Sequence, residues 1–262
     1  MPKGGVARRA TKIKGIREQA EHPVLLVDAG STLFGQMLAL QSEGRVIIEA
    51  MNAMGYDAMA VGELDLAKGV DTLIARAGEA RFPLLSCNLV SAQEQKPLLK
   101  PYALLERGGV RFGILGVTEP QALDAPGVRE VAQVLDPVTS IQKYLPEVKK
   151  QSDVLIVLSH LGVEEDRALA QAVPEIDLIV GGRSKRLMSV PDIVGSTVIT
   201  QMGYDGEWLG RLDMTLDSQG QVRDPQSAVI ELGPDVAEDA ELKALVASYK
   251  ERFPQPTTEA TK

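Results

Sequence analysis

The chain is poor in the side chains that build covalent and metal-bound frameworks. Cys87 is the one cysteine among 262 residues, so no intrachain disulfide and no CxxC metal or haem-attachment motif is available. There are two histidines, His22 and His160, too few for a centre built mainly from imidazoles. Aromatic residues make up 4% of a chain that is 44% hydrophobic, so its core must come from Ala, Val, Ile and Leu. No apolar run reaches the roughly 18 residues that a bilayer-spanning helix needs. The opening Met1-Pro2-Lys3-Gly4-Gly5 has no apolar signal segment, which fits either a cytoplasmic chain or one whose signal has been removed. Positive charge is also in deficit. The formal net charge is −8, which does not suit a general nucleic-acid binder.

What the chain has is a set of short β-branched runs. Val24-Leu25-Leu26-Val27 and Val154-Leu155-Ile156-Val157-Leu158 are continuous apolar segments, as expected of strands buried on both faces. Cys87, inside Phe82-Pro83-Leu84-Leu85-Ser86-Cys87-Asn88-Leu89, reads as a small core residue before it reads as a reactive thiol. Apolar spacing predicts a helix over 6–20, with Arg8, Arg9, Lys12, Lys14 and Arg17 on a basic outer face. Strands are expected at 23–28, 57–61, 83–87, 153–158 and 177–180, and helices near 41–54, 69–79, 137–149 and 164–172. Arg107-Gly108-Gly109 should close a hairpin between 102–106 and 110–117. From about 188 to 232 the alternation predicts antiparallel strands.

Strand–helix alternation followed by strand pairs predicts an α/β fold: a four-layer α/β/β/α sandwich of two mixed sheets, with a three-layer doubly wound fold as the alternative. The expected division is a main domain over 1–235 and, over 236–262, an acidic C-terminal helix and disordered tail ending in Pro254-Gln255-Pro256-Thr257-Thr258.

Five segments then stand out in order. They are Gly4-Gly5-Val6-Ala7-Arg8; Leu26-Val27-Asp28-Ala29-Gly30-Ser31-Thr32-Leu33-Phe34-Gly35; Met51-Asn52-Ala53-Met54-Gly55-Tyr56-Asp57-Ala58-Met59-Ala60-Val61-Gly62; Leu158-Ser159-His160-Leu161-Gly162; and Asp177-Leu178-Ile179-Val180-Gly181-Gly182-Arg183-Ser184-Lys185. Together they resemble the N-terminal catalytic domain of the 5′-nucleotidase branch of the calcineurin-like metallophosphoesterases, over residues 4–232. The resemblance implies the four-layer sandwich. It also implies an exported or periplasmic setting, in bacteria often joined to other domains. Enzymes of the family hold two divalent metals at the ends of the sheet strands, where the cations lower the pKa of a bridging water and stabilise charge on the phosphoryl oxygens.

Set against that pattern, the motifs depart one by one. The family's initial Asp-x-His strand would precede Gly4. The Gly-Asp that bridges the metals reads Gly30-Ser31. The Gly-Asn-His-Glu-Phe-Asp segment reads Gly62-Glu63-Leu64-Asp65-Leu66-Ala67, with Leu64 at the catalytic His. Ser159-His160 is retained, while the final Gly-His-x-His reads Gly182-Arg183-Ser184-Lys185. The expectation is therefore a degenerate site with no catalytic residue, no metal ligand set and no cofactor, and with Asp28, Ser31, Glu63, Leu64, Asp65, His160, Arg183 and Lys185 as its vestigial positions. A single divalent metal held by Asp28, Glu63, Asp65 and His160 is the alternative.

Arg183 and Lys185 stand where metal ligands stood, so internal ion pairs with Asp28 or Glu63 are expected to close the old site. With Arg186 they could instead hold a small anion. The function expected from the sequence is a binding or structural module of phosphoesterase descent, with another protein, a fused domain or a small anion as its partner. The alternatives are an atypical metal-dependent phosphoesterase and a non-catalytic anion-binding protein.

Overall fold

The computed structural model describes residues 3–217 and 220–254. The elements in chain order are α1 (Val6–Gln19), β1 (Val27–Asp28), α2 (Met37–Gln41), α3 (Arg45–Met54), β2 (Ala58–Ala60), α4 (Val70–Glu79), β3 (Leu84–Leu85), β4 (Leu89–Ser91), β5 (Tyr102–Arg107), β6 (Val110–Val117), β7 (Ala132–Val134), α5 (Pro137–Gln151), β8 (Val154–Ser159), α6 (Val163–Ala172), β9 (Leu178–Gly181), β10 (Asp192–Val194), β11 (Thr197–Gln201), β12 (Trp208–Leu216), β13 (Val222–Glu231) and α7 (Ala240–Arg252). Single 3-10 turns cover Glu63–Leu66 and Pro120–Asp124.

Two sheets form the middle of the sandwich. One is parallel, in the order β1-β2-β3; the other runs β10-β11-β9-β8-β6-β5, parallel in its centre and antiparallel at both edges. β8 shows why four layers form. Successive side chains on a strand point to opposite faces. Leu155 and Val157 pack with Ile141 and Val148 of α5 and Leu169 of α6. Ile156 and Leu158 pack with Ala58, Ala60 and Leu85 of the other sheet. The far face of the parallel sheet is covered by α1, α3 and α4 through Ile13, Ile48, Met51 and Leu73. Each such Leu or Ile, removed from water, contributes about 1.5–3 kcal/mol.

Local signals set the element ends. Asp136 caps α5 by accepting from the Thr139 N–H at 2.8 Å, with Pro137 in the first helical position. The turn between β5 and β6 is Gly108-Gly109, with φ of 57° and 80°, the left-handed pair that a two-residue hairpin requires.

The structure differs from the sequence expectation at several points. β1 covers two residues rather than 23–28, because the Leu26 N–H is taken by the Asp57 carboxylate at 2.8 Å, outside the ladder. Thr197–Gln201 was expected to be antiparallel throughout, but β11 pairs in parallel with β9 and antiparallel only with β10. The helix beyond residue 235 packs on α1 and α3 and buries Leu242 and Tyr249. The end of the expected tail, from Gln255, lies outside the described residues. Cys87 is buried, and burial pushes its thiol up to about 12. No helix among the described residues is long and apolar enough to cross a membrane.

Candidate functional site

Parallel strands from both sheets end on one side of the sandwich. β1 ends at Asp28, β2 at Ala60, β6 at Val117, β8 at Ser159 and β9 at Gly181. Loops leaving the carboxyl ends of parallel strands are where α/β folds place ligands. Four of the five sequence segments lie here.

The two sheets are joined at this end by a pair of side chains. The Ser31 hydroxyl lies 2.9 Å from Nε2 of His160, and Nδ1 of His160 lies 2.8 Å from the carbonyl oxygen of Ala29. A carbonyl only accepts, so Nδ1 carries the proton and Nε2 of the neutral ring accepts from the Ser31 hydroxyl. Burial holds the His160 pKa below its ordinary value, against the opposing pull of the Ala29 carbonyl and of the charges on Glu63 and Asp28. Gly62 lies against this pair. A β-carbon there would fall 2.5 Å from both Cδ2 of His160 and Oγ of Ser31, so only glycine fits.

Ser31 has φ 59°, in the left-handed region that costs a non-glycine residue about 1 kcal/mol or more. Asp65 holds it there. The Asp65 carboxylate accepts from the backbone N–H groups of Ser31 at 2.7 Å, Thr32 and Leu33 at 2.8 Å and Gly62 at 2.9 Å. Burial pushes this carboxyl up to about 6, against the pull of those donors. Asp28 is satisfied locally, accepting from the Gly30 N–H at 2.9 Å and the Thr32 hydroxyl at 2.7 Å. Leu64 contributes its backbone N–H to Ser31 Oγ at 3.2 Å, and its side chain is exposed.

Glu63 is exposed and lines an open cleft of about 640 Å³, together with Glu164, Glu165, Arg183, Ser184 and Arg186. Arg183, at φ 67°, donates to the Leu161 carbonyl at 3.0 Å. Lys185, at φ 58°, is exposed and places its ammonium 5.6 Å from the Tyr204 ring.

The structure thus brings Asp28, Ser31, Leu64, Asp65 and His160 together. It puts Glu63 and Arg183 on the cleft, and Lys185 away from them on Tyr204. The expected internal ion pairs are not formed. Neither Arg183 nor Lys185 has a carboxylate within 4.0 Å among the described residues. The physical reason is that Asp28 and Asp65 already have neutral donors from the adjacent chain. A cation whose field reaches Asp28 is Arg9 of α1, which turns inward to the Tyr56 hydroxyl at 3.4 Å. The basic face expected of α1 is therefore partly folded into the protein.

Two carboxyl groups at this end were missed from sequence. Glu119, after β6, is 1% exposed and neither of its carboxylate oxygens has a hydrogen-bond partner among the described residues. Burial pushes it up to about 8, with the Glu63 charge raising it further and Arg183 opposing. Asp166, in the first turn of α6, accepts from the Ser159 hydroxyl through one oxygen, and its other oxygen has no partner. Burial pushes it up to about 7. The position of Thr118-Glu119-Pro120 just past a buried parallel strand was the signal that could have found Glu119.

Among the described residues, no group of three or more His, Cys, Asp or Glu side chains is arranged to hold a metal ion. Asp65 is turned to backbone N–H groups, both ring nitrogens of His160 are engaged, and Ser31 offers a neutral hydroxyl. This donor set does not fit a two-metal centre.

The chain is 33% identical to the 5′-nucleotidases of Bos taurus and Homo sapiens, over 98% of its own length and 49% of theirs. It thus spans about half the length of these curated relatives. A 5′-nucleotidase precursor from Thermus thermophilus superposes with a TM-score of 0.87 at 30% identity, over 96% of this chain and 54% of that one. A calcineurin-like phosphoesterase from Bacillus subtilis, 23% identical, shares the fold with a TM-score of 0.83, over 96% of this chain and 90% of that one. No protein-family model matches the chain. These relatives correct the expectation of no cofactor, because 5′-nucleotidases and calcineurin-like phosphoesterases use divalent metals. By sequence and by fold, the chain is a homologue of the 5′-nucleotidases, matched over about half of their length.

Proposed function

We propose that this domain has exchanged phosphate-ester hydrolysis for a binding or structural role, and that its ligand or partner meets the cleft between Glu63 and Arg183. The observation that carries this reading is the Ser31–His160 hydrogen bond of 2.9 Å. The hydroxyl is neutral, and Ser31 occupies the position at which the resemblance implies a bridging carboxylate. The bond also engages Nε2 of His160. A hydroxyl does not bridge dications as a carboxylate does, and Leu64 has no group that could protonate or orient a phosphoryl oxygen. The vestigial positions Asp28 and Asp65 serve as acceptors for their own loops.

The cleft does not select strongly for anions. Arg183 and Arg186 are countered by Glu63, Glu164 and Glu165 along the same lining. An anion-binding role therefore finds less support than a ligand of mixed or no charge.

The test is hydrolysis of p-nitrophenyl phosphate and of AMP with added manganese, magnesium or zinc. The expected result is no turnover above the metal blank. Turnover that requires a metal and is lost in His160→Ala would overturn the reading. It would support a second one, a divalent-metal phosphoesterase with an atypical site, which the 33% identity to 5′-nucleotidases favours.

A further inference from the structure

We propose that the trough between β1 and the β12–β13 hairpin docks an extended peptide strand of a partner protein, with apolar residues at alternate positions and a carboxylate for Arg9.

The two borders of the trough lie in one layer. Val27 of β1, and Leu212 and Met214 of β12, pack on the same core as Ile156 and Leu178 of the six-stranded sheet. On the opposite side of that layer, Leu26 and Leu209 pack in the core that α1 covers with Ala10 and Ile13. The borders are nevertheless not joined. β1 pairs with β2 alone, and β12 with β13 alone. Leu26 turns its backbone to the β2 side: its carbonyl accepts from the Asp57 N–H at 2.8 Å, and its N–H meets the Asp57 carboxylate at 2.8 Å. Backbone groups alternate in direction along a strand, so those of Leu25 and Val27 point to the trough. The apolar side chains at its borders are half-buried, whereas every residue of β8 is buried.

An unpaired strand edge is a template for another strand. Here a strand edge and a hairpin edge border one apolar floor. A lipid chain would cover that floor and leave the backbone groups without partners. A polypeptide backbone satisfies both. Arg9 adds the charge preference. From α1 it reaches Tyr56, just before β2, at 3.4 Å and Gly206, just before β12, at 3.5 Å. Its buried Nε has no partner among the described residues. Asp28, whose charge acts on Arg9, is already held by the Gly30 N–H and the Thr32 hydroxyl. An incoming carboxylate can take the guanidinium edge in a two-point contact.

The experiment uses the whole chain and a nine-residue peptide, the length of β12, alternating valine and threonine with one aspartate near its end. Amide hydrogen exchange of Leu25 and Val27, read by NMR, should slow by about 10-fold or more when the peptide is added. The same peptide N-methylated at alternate residues should not slow it. Asparagine in place of the aspartate should weaken binding by about 10-fold, and Arg9→Ala should erase that difference. Comparing the two peptides on the unaltered protein keeps the test valid if the variant fails to fold. Unchanged exchange with the peptide, or equal binding of the N-methylated form, would overturn the proposal. Slowing that rises with protein concentration alone would also overturn it, by making a second copy of the chain the occupant. Phosphate-ester hydrolysis bears on the cleft and not on the trough, so docking and the proposed function fail separately.

Discussion

The two sides of the site are built in opposite ways. On the side of the loops after β1 and β2, with His160 of the loop after β8 against them, nearly every polar group has a partner: Asp65 takes backbone N–H groups from two loops, Asp28 takes two donors, and His160 is engaged at both nitrogens. On the side after β9, Arg183 and Lys185 sit at positive φ, Arg183 has a single hydrogen bond to Leu161 and Lys185 lies over an exposed ring. On the first side Asp28 and Asp65 organise backbone, while on the second the two cations hold little of it.

The comparison is broken most directly at Asp65. Asp65→Ala strips the acceptor from the N–H groups of Ser31, Thr32, Leu33 and Gly62. Each buried donor left unpaired costs about 1–3 kcal/mol, and water entering the gap will recover part of that. The expected loss is on the order of 3–5 kcal/mol in urea unfolding. A loss under about 1 kcal/mol would mean that the first side is not held from Asp65.

Gly62→Ala tests the same side by volume. Its new methyl would lie 2.5 Å from His160 and Ser31, so the pair must separate. About 1–3 kcal/mol of destabilisation is expected. The His160 ring resonances should move as the hydrogen bond is lost, and unmoved resonances would mean that the loop gives way instead.

These two residues also show how far the sequence could be read. The alternating faces of β8 made the layered fold legible, because burial on both sides leaves a continuous apolar run. The phrase from Met51 to Gly62 marked the place of the site. The roles of the site residues were less legible. Arg183 and Lys185 looked like counter-charges for Asp28, but charge matching in a sequence says nothing of nearby N–H groups, and those satisfied Asp28 and Asp65 first. Glu119 went unnoticed because a Glu after a strand looks like an ordinary surface residue until a second layer covers it. Arg9 reads as surface charge on a helix, and only the packing of α1 turns it inward.

The incompletely paired buried carboxyls, Glu119 and Asp166, give a pH-dependent effect. Glu119 is pushed up to about 8 and Asp166 to about 7, chiefly by burial. Beyond burial, the groups acting on Glu119 are its own backbone N–H, the charge and backbone N–H of Glu63, and Arg183, and on Asp166 they are Ser159 and Glu165. An acid whose folded pKa lies above its unfolded value binds more protons when folded, so stability falls as pH rises from the unfolded to the folded pKa. The protein should therefore lose stability as pH rises from about 4 to about 8. Glu119→Gln, neutral throughout, should flatten that slope. A slope of opposite sign would mean that Glu119 has a cationic partner in solution.

The smallest effect is expected on the second side. Lys185→Ala removes a cation–π contact at an exposed site, worth about 0.5–1 kcal/mol at most, and relieves the side-chain entropy that the contact consumes. The residue stays at φ 58°, so backbone strain is unchanged between the two side chains. The net change should be within about 0.5 kcal/mol, the range of ordinary surface substitutions. The same denaturation series that detects Asp65→Ala measures it. A loss of about 2 kcal/mol would place Lys185 in the same class as the Asp65 side, and the loop after β9 would then have to be ordered by that one contact with Tyr204.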